Sequence, residues 1–345
     1  MIVQTCKAVA IEPGRLTTVE LPVRDPGPDE VLVRVRACAL CTWEQRTYSG
    51  AQPPFKPLLG GHEVAGEVVD VGAGVKGLVK PGDHVAVARL GRCGYCRPCR
   101  EGRDAHCENS YAINDYGDYF GPAGLSEYLT VPAYQVFPVD AGLSFEEASL
   151  TEPVSCVLRS VRRARVDFGD DALISGAGIM GALHLAMLRA RGVRPLVAEV
   201  DPTRRAKALA LGAAAVLDPT FPGYEEELRS LTTGGPAAVF VTGGGKVALE
   251  QAMRLVAVGG RVVVYAAFYP EPTLELPSNP IHHNEVELIG TMSQSSEEFY
   301  RAAALLSKRI IDVRPLITET YPIAQVQQAF ERALSLETYR VVVTL

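Results

Sequence analysis

No stretch of the 345-residue chain approaches the roughly 18 uncharged apolar residues of a membrane-spanning helix, so a helical membrane protein is not expected. Positive charge is not in surplus either. Lys and Arg number 34 against 40 Asp and Glu, a net charge of −6. That argues against a nucleic-acid binder, because phosphate contacts need a basic surface. The opening residues Met1 to Lys7 have no basic stretch leading into an apolar run, so no secretory leader is expected and the setting is read as cytoplasmic. There is no internal repeat and no low-complexity linker. What remains is ordinary soluble composition, 47% hydrophobic and 21% charged. The length exceeds what one core usually serves and suits two domains.

Residues 1–152 are rich in short β-type runs broken by Gly and Pro. Val31 to Ala37, Glu67 to Val71 and His84 to Val87 read as strands, with turns at Gly72-Ala73-Gly74 and Lys80-Pro81-Gly82-Asp83. Few of these stretches have helical period, so an all-β, barrel-like region of Greek-key type is expected. Near residue 153 the texture changes to strands alternating with helices. Ala172 to Ser175, Pro195 to Glu199, Ala237 to Thr242 and Gly260 to Tyr265 read as strands. Gly181 to Arg191, Pro202 to Leu211 and Lys246 to Val256 read as helices. This repetition predicts an α/β domain with a doubly wound parallel sheet over 153–292. Residues 293–345, with a helix at Glu297 to Lys308, another within Pro322 to Leu334 and a closing strand at Arg340 to Val343, are expected to return to the first domain.

Four of the eight cysteines cluster as Cys93, Cys96, Cys99 and Cys107, a C-x2-C-x2-C-x7-C spacing. Four thiolates satisfy tetrahedral zinc with no open position, which predicts a structural site within a lobe over 93–107. Two disulfides or an iron–sulfur cluster are the alternatives. Nearby Arg92, Arg97, Arg100 and Arg103 are expected to offset thiolate charge.

A second constellation is of the open kind. Cys41 and His62 are good zinc ligands, and Glu63 or Glu152 could supply a third, leaving one position for water or substrate. Singly these residues say little. Cys41 near Cys38 could be a core thiol and His62 a hydrogen-bonded structural residue, as His84, His106, His184, His282 and His283 are read to be. Glu152-Pro153 could simply open a helix.

The run Gly176-Ala177-Gly178-Ile179-Met180-Gly181 gives G-x-G-x-x-G between a strand and a helix. In that context Gly176 permits the turn, Gly178 lets a pyrophosphate approach, and Gly181 lets helix and strand pack, with Ile179 and Met180 between them at the helix N-terminus. Glu199 is placed at the tip of the next strand and Asp201 as the following helix N-cap. An acid at the tip accepts bonds from a 2′-hydroxyl and repels a 2′-phosphate, which favours NAD over NADP. Arg204 and Arg205 are the contrary signal, with a solvated helix face as the plain alternative.

Taken together, these residues resemble the zinc-containing medium-chain dehydrogenases. The similarity runs from Ala37-Cys38-Ala39-Leu40-Cys41 through Gly61-His62-Glu63-x2-Gly66-x5-Gly72, Lys80 to Val85, the four-cysteine lobe, Gly124 to Tyr128, Glu152-Pro153 and Gly259 to Val262. The resemblance implies a GroES-like catalytic domain, a Rossmann domain and two zinc ions per chain. It carries the catalytic ligands onto Cys41, His62, Glu63 and Glu152, relatives differing in which acid touches the metal. It carries a supporting acid for His62 onto Glu44.

The family usually shows C-G-[ST]-[DE] where this chain has Cys41-Thr42-Trp43-Glu44. The hydroxyl that relays the substrate proton would fall at Trp43, with Thr42 one position off in what reads as an extended segment. Trp43 is expected to wall the substrate pocket, and Glu44, Glu152 or water to serve the proton. The implied reaction is zinc-assisted hydride transfer from a secondary alcohol to NAD, giving a ketone, with polyols or cyclitols ahead of threonine- or diol-type substrates. Relatives suggest a homodimer or homotetramer. Two rivals stand beside this: a zinc-free, quinone-reductase-like enzyme, and a non-catalytic nucleotide-binding protein with structural zinc. Asn279 to Glu285 reads as a loop at the cleft edge.

Overall fold

Glu30–Ala39 alternates as a half-buried strand should: Val31, Val33, Val35 and Ala37 are buried, and Leu32, Arg34 and Arg36 between them are not. In the computed structural model, which describes residues 5–110, 115–276 and 278–345, this strand lies within a seven-stranded sheet. The order across it is Val136–Pro138, His84–Ala88, Glu63–Val71, Glu30–Ala39, Arg340–Thr344, Ile317–Pro322, and Tyr128–Pro132 also pairs with Glu30–Ala39. A five-stranded sheet holds Thr5–Glu12 and Arg15–Pro22 together with three two-residue strands. One core joins them, with Ile11, Val33, Leu58, Leu125 and Phe330 in it. Each such side chain stabilises the fold by about 1.5–3 kcal/mol when fully buried. The leader reading rests partly on Met1 to Gln4, which lie outside the described residues.

The second sheet system is parallel throughout. Its order is Ala215–Leu217, Arg194–Ala198, Asp171–Ser175, Ala238–Val241, Arg261–Val264, Glu287–Gly290. The chain winds outward one way from Asp171–Ser175 and then returns to wind out on its other side. The carboxyl end of that strand is therefore the topological switch point, where such sheets bind ligands. The two compact units are Met1–Ser155 with Gln294–Leu345, and Cys156–Ser293.

Two local expectations need correction. Thr42 is not in an extended segment: Thr42–Tyr48 is a helix with Cys41 at its N-cap. Asn279 to Glu285 is not simply a loop, because Ser278–His283 is a short helix. Pro280 sits in its first turn, where its missing N–H costs nothing. Among the described residues no helix is long and apolar enough to cross a membrane.

Candidate active site

Strand register builds the site. Ala39 pairs with Glu63 across the antiparallel ladder, so the end of one strand and the start of the other meet. Cys41 lies just beyond the first and His62 just before the second. Gly61, which carries the chain into His62, has φ +95, and a Cβ there would stand 2.3 Å from the Leu125 backbone nitrogen. Only glycine fits that turn. One ligand atom each from Cys41, His62 and Glu63 then falls within 4.8 Å of the others.

The helix that Cys41 caps sends Glu44 inward, where it is 0% exposed. Glu44 Oε1 accepts from His62 Nδ1–H at 2.8 Å and from Gly61 N–H at 2.9 Å. This fixes the imidazole tautomer and leaves Nε2 as the ligating nitrogen. Burial would raise the Glu44 carboxyl, but His62 and the Gly61 amide outweigh it and hold it below its ordinary range. Burial likewise opposes charge on His62, yet Glu44 and Cys41 lift its pKa well above the ordinary value. The surroundings thus favour positive charge at this point. Glu63 is buried, with Arg340 Nη2 2.8 Å from its Oε1 and no hydrogen-bond partner at its Oε2. A buried carboxylate oxygen left unbonded is costly unless a cation faces it, and a thiolate, an imidazole and a carboxylate are a zinc donor set. The residues fit the metal.

Glu152 occupies the first turn of Thr151–Ala164 and is buried. It stands outside the three-residue set, but its charge is felt: burial pushes Glu63 up to about 7, Arg340 opposes this and Glu152 adds to it. Trp43 is half-buried with its ring centroid 5.7 Å from that of His62. Thr42 is exposed.

Arg340 has no counterpart in the sequence reading, where it opened an apolar closing strand. Val342 pairs with Ala39 and Val343 with Cys38, so continuing the register sets Arg340 opposite Cys41. It is 1% exposed, with Nη2 2.8 Å from Glu63 Oε1 and Nη1 donating to the Leu40 carbonyl at 3.0 Å. A charged residue heading an apolar strand was the only local signal, and its partner lies some three hundred positions away. Truncating it strands a buried carboxylate, and we expect Arg340→Met to cost about 3–5 kcal/mol in urea unfolding of the zinc-depleted protein. An unchanged unfolding midpoint would show that Glu63 carries no charge for Arg340 to balance.

In the lobe, Cys93, Cys96, Cys99 and Cys107 bring their sulfurs within 4.8 Å of one another, and all are free thiols. Cys93 N–H donates to Cys107 Sγ and Cys96 N–H to Cys93 Sγ, each at 3.3 Å. Burial opposes thiolate at Cys93, but Asn109 and the Cys96 and Tyr95 amides bring it down to about 6. Burial and the Cys96 and Cys107 thiols push Cys99 up to about 12. Four sulfurs this close cannot all ionise without a cation among them, which suits zinc. Three of the four arginines expected to offset the thiolates bond to carboxylates: Arg92 to Asp104, and Arg97 and Arg103 to Glu101.

In the other unit, Gly176 has φ +100 after Asp171–Ser175, and a Cβ on Gly181 would stand 2.0 Å from the Gly176 carbonyl. Both glycines are therefore required for the turn to lie against the helix Ile179–Ala190, whose N-cap is Gly178 and whose first residues are Ile179 and Met180. Glu199 follows its strand directly. It accepts from Ala177 N–H at 2.7 Å and Asp201 N–H at 3.0 Å, and Asp201 caps its helix by accepting from Arg204 N–H at 2.7 Å. Arg205 is not a solvated surface residue: Nη1 donates to the Glu199 and Val200 carbonyls and pairs with Asp218. His184 donates from Nδ1 to the Met180 carbonyl and accepts from Ser160 at Nε2, and burial brings it down to about 4, a structural histidine.

The chain matches two family models, the alcohol dehydrogenase GroES-like domain over residues 27–141 and the zinc-binding dehydrogenase domain over 180–308. It is 30% identical to the L-galactonate-5-dehydrogenase of Escherichia coli K12 over 91% of this chain and 90% of that protein. It is 32% identical to the L-threonine 3-dehydrogenase of Pyrococcus horikoshii over 95% of this chain and 94% of the relative. Among solved structures, a Sinorhizobium meliloti 1021 protein described as a zinc-binding dehydrogenase and bound to NADP superposes with a TM-score of 0.90. It is 26% identical and covers 99% of this chain and all of its own.

Proposed function

The chain belongs to the zinc-containing medium-chain dehydrogenases, and we propose that it moves hydride from a secondary alcohol carbon of a small polyhydroxylated substrate to NAD, leaving a ketone. The observation that carries this is the convergence of Cys41, His62 and Glu63 within 4.8 Å, with Glu63 Oε2 otherwise unbonded. Zinc bound there would act as the Lewis acid that lowers the pKa of a substrate hydroxyl. The chain's own residues do the rest. Glu44 holds His62 in its ligating tautomer. Arg340 balances Glu63. Trp43 lies against His62 and walls the pocket on the side where relatives place a hydroxyl. Trp43 carries no hydroxyl to relay the substrate proton, so Glu44, Glu152 or water takes it.

NAD is favoured over NADP because Glu199 sets a carboxylate at the ribose end of the turn, while Arg205 is held by two carbonyls and Asp218 rather than free for a phosphate. A polyol or sugar acid is favoured by likeness to the galactonate enzyme, and threonine by likeness to the other relative. A panel of polyols, sugar acids, cyclitols, diols and threonine, followed by reduced-nicotinamide absorbance with each cofactor, tests the reading. We expect a polyol or sugar acid to turn over with kcat/KM for NAD at least about tenfold above NADP, the worth of one good charged contact. A preference for NADP overturns the role given to Glu199. Turnover of threonine alone replaces the substrate class.

A further inference from the structure

Away from the metal centre, a cavity of about 470 Å³ opens in the same unit between Pro22–Arg24, Tyr128–Pro132 and the end of the strand His84–Ala88. Its size is that of a small-molecule site. None of Cys41, Glu44, His62, Glu63, Glu152 or Arg340 lines it. Arg89 does, and only 5% of it is exposed.

The bonding of Arg89 is unusual. Nε donates to the Pro122 carbonyl at 2.6 Å, Nη1 to Gln135 Oε1 at 2.8 Å and Nη2 to the Tyr116 hydroxyl at 3.0 Å. All three acceptors are neutral, and among the described residues no carboxylate pairs with it. A guanidinium has five N–H donors, so one N–H on each terminal nitrogen is uncommitted. Tyr116 accepts from Arg89, which leaves its own hydroxyl hydrogen to donate. The one acid lining the cavity, Glu30, is held by Arg24, which keeps it below the usual carboxylate range. The walls therefore carry a net positive charge that sits on a buried group. A buried charge of this kind is expensive unless a counter-charge meets it.

We propose that this cavity is an oxyanion site, in which Arg89 and Tyr116 hold the carboxylate or phosphate group of a small solute. Two guanidinium N–H groups and a phenol can meet two oxygens of either headgroup, which is the geometry arginine serves best.

The test is a thermal-melt titration of the zinc-loaded protein with inorganic phosphate and, separately, succinate. Saturating NADH fills the dinucleotide cradle, and potassium chloride at equal ionic strength is the reference. We expect a saturable rise of about 2–4 °C at ten times the dissociation constant, in the phosphate arm, the succinate arm or both, and none in Arg89→Gln. The arm that responds identifies the headgroup. Equal shifts in wild type and Arg89→Gln, or none beyond chloride, overturn the proposal. Should Arg89→Gln fail to fold, Tyr116→Phe decides: it keeps the guanidinium in place and should weaken affinity several-fold, and unchanged affinity places the anion elsewhere.

Discussion

His62→Ala and Cys41→Ala should each lower turnover by on the order of 10³-fold or more while the protein still binds NADH. A Lewis acid contributes several kcal/mol of charge stabilisation, and each 1.36 kcal/mol is a factor of about ten in rate. Removing Cys41 or His62 from the three residues that would hold the zinc takes away that contribution and leaves Glu63 buried with less to meet it. The nucleotide turn, Gly176 to Gly181 with Glu199, belongs to the other unit. NADH fluorescence titration should therefore be unchanged. Glu44→Gln separates support from ligation: it keeps a carbonyl acceptor for His62 but no charge, and a loss of about 10–100-fold is expected. The decisive measurement is kcat together with zinc per chain. Full turnover in His62→Ala would remove the metal centre from the chemistry, whatever the family.

The fold was legible because its signals are local. Alternation at Val31, Val33 and Val35 and the strand–glycine–helix sequence at Ser175 to Gly181 are periodicities that any short window contains. Cys41, His62 and Glu63 were legible as residue types, and what joins them is a register, Ala39 against Glu63, that hydrophobic pattern alone does not fix. Arg340 was not legible, because it reaches Leu40 and Glu63 only after the last strand enters the first sheet. Thr42 was misread for the opposite reason. Cys41 to Glu44 is too short for a period to appear, and the helix there is decided by Glu44 reaching into the interior. Arg89 escaped notice because a lone arginine after a strand ordinarily sits in water, and its burial is a property of Pro122, Gln135 and Tyr116 arriving from elsewhere in the chain.

Stripping the metal from the protein should melt the lobe over 93–107 before anything else. That segment has almost no apolar interior. Between Leu90 and Ser110 the buried apolar residues are Cys96, Ala105 and Cys107, and none of them joins the core clusters around Val33, Leu173 or Phe299. Its helix is the four residues Arg97–Arg100, far too short to stand alone. Sulfur–metal bonds must replace the missing core, and zinc supplies about 10–16 kcal/mol in peptides that fold around it. Among the anchors that remain, Arg92 bonds to the Gln294 carbonyl at 2.8 Å and the Tyr134 hydroxyl at 3.1 Å, and Asp104 accepts from Ser296 N–H at 3.1 Å, which holds the chain at Arg92 and at Asp104 on either side of the loop. After chelation, trypsin should cut at Arg97, Arg100 and Arg103 at least about a hundred-fold faster, the ratio that follows from losing as little as 3 kcal/mol of local stability. Cys96→Ser should do the same without chelator. The strands around Val33 and Val87 should keep their hydrogen-exchange protection in both cases, since their neighbours are apolar side chains rather than the lobe. Equal cleavage with and without metal would mean that the four sulfurs hold the lobe by packing alone.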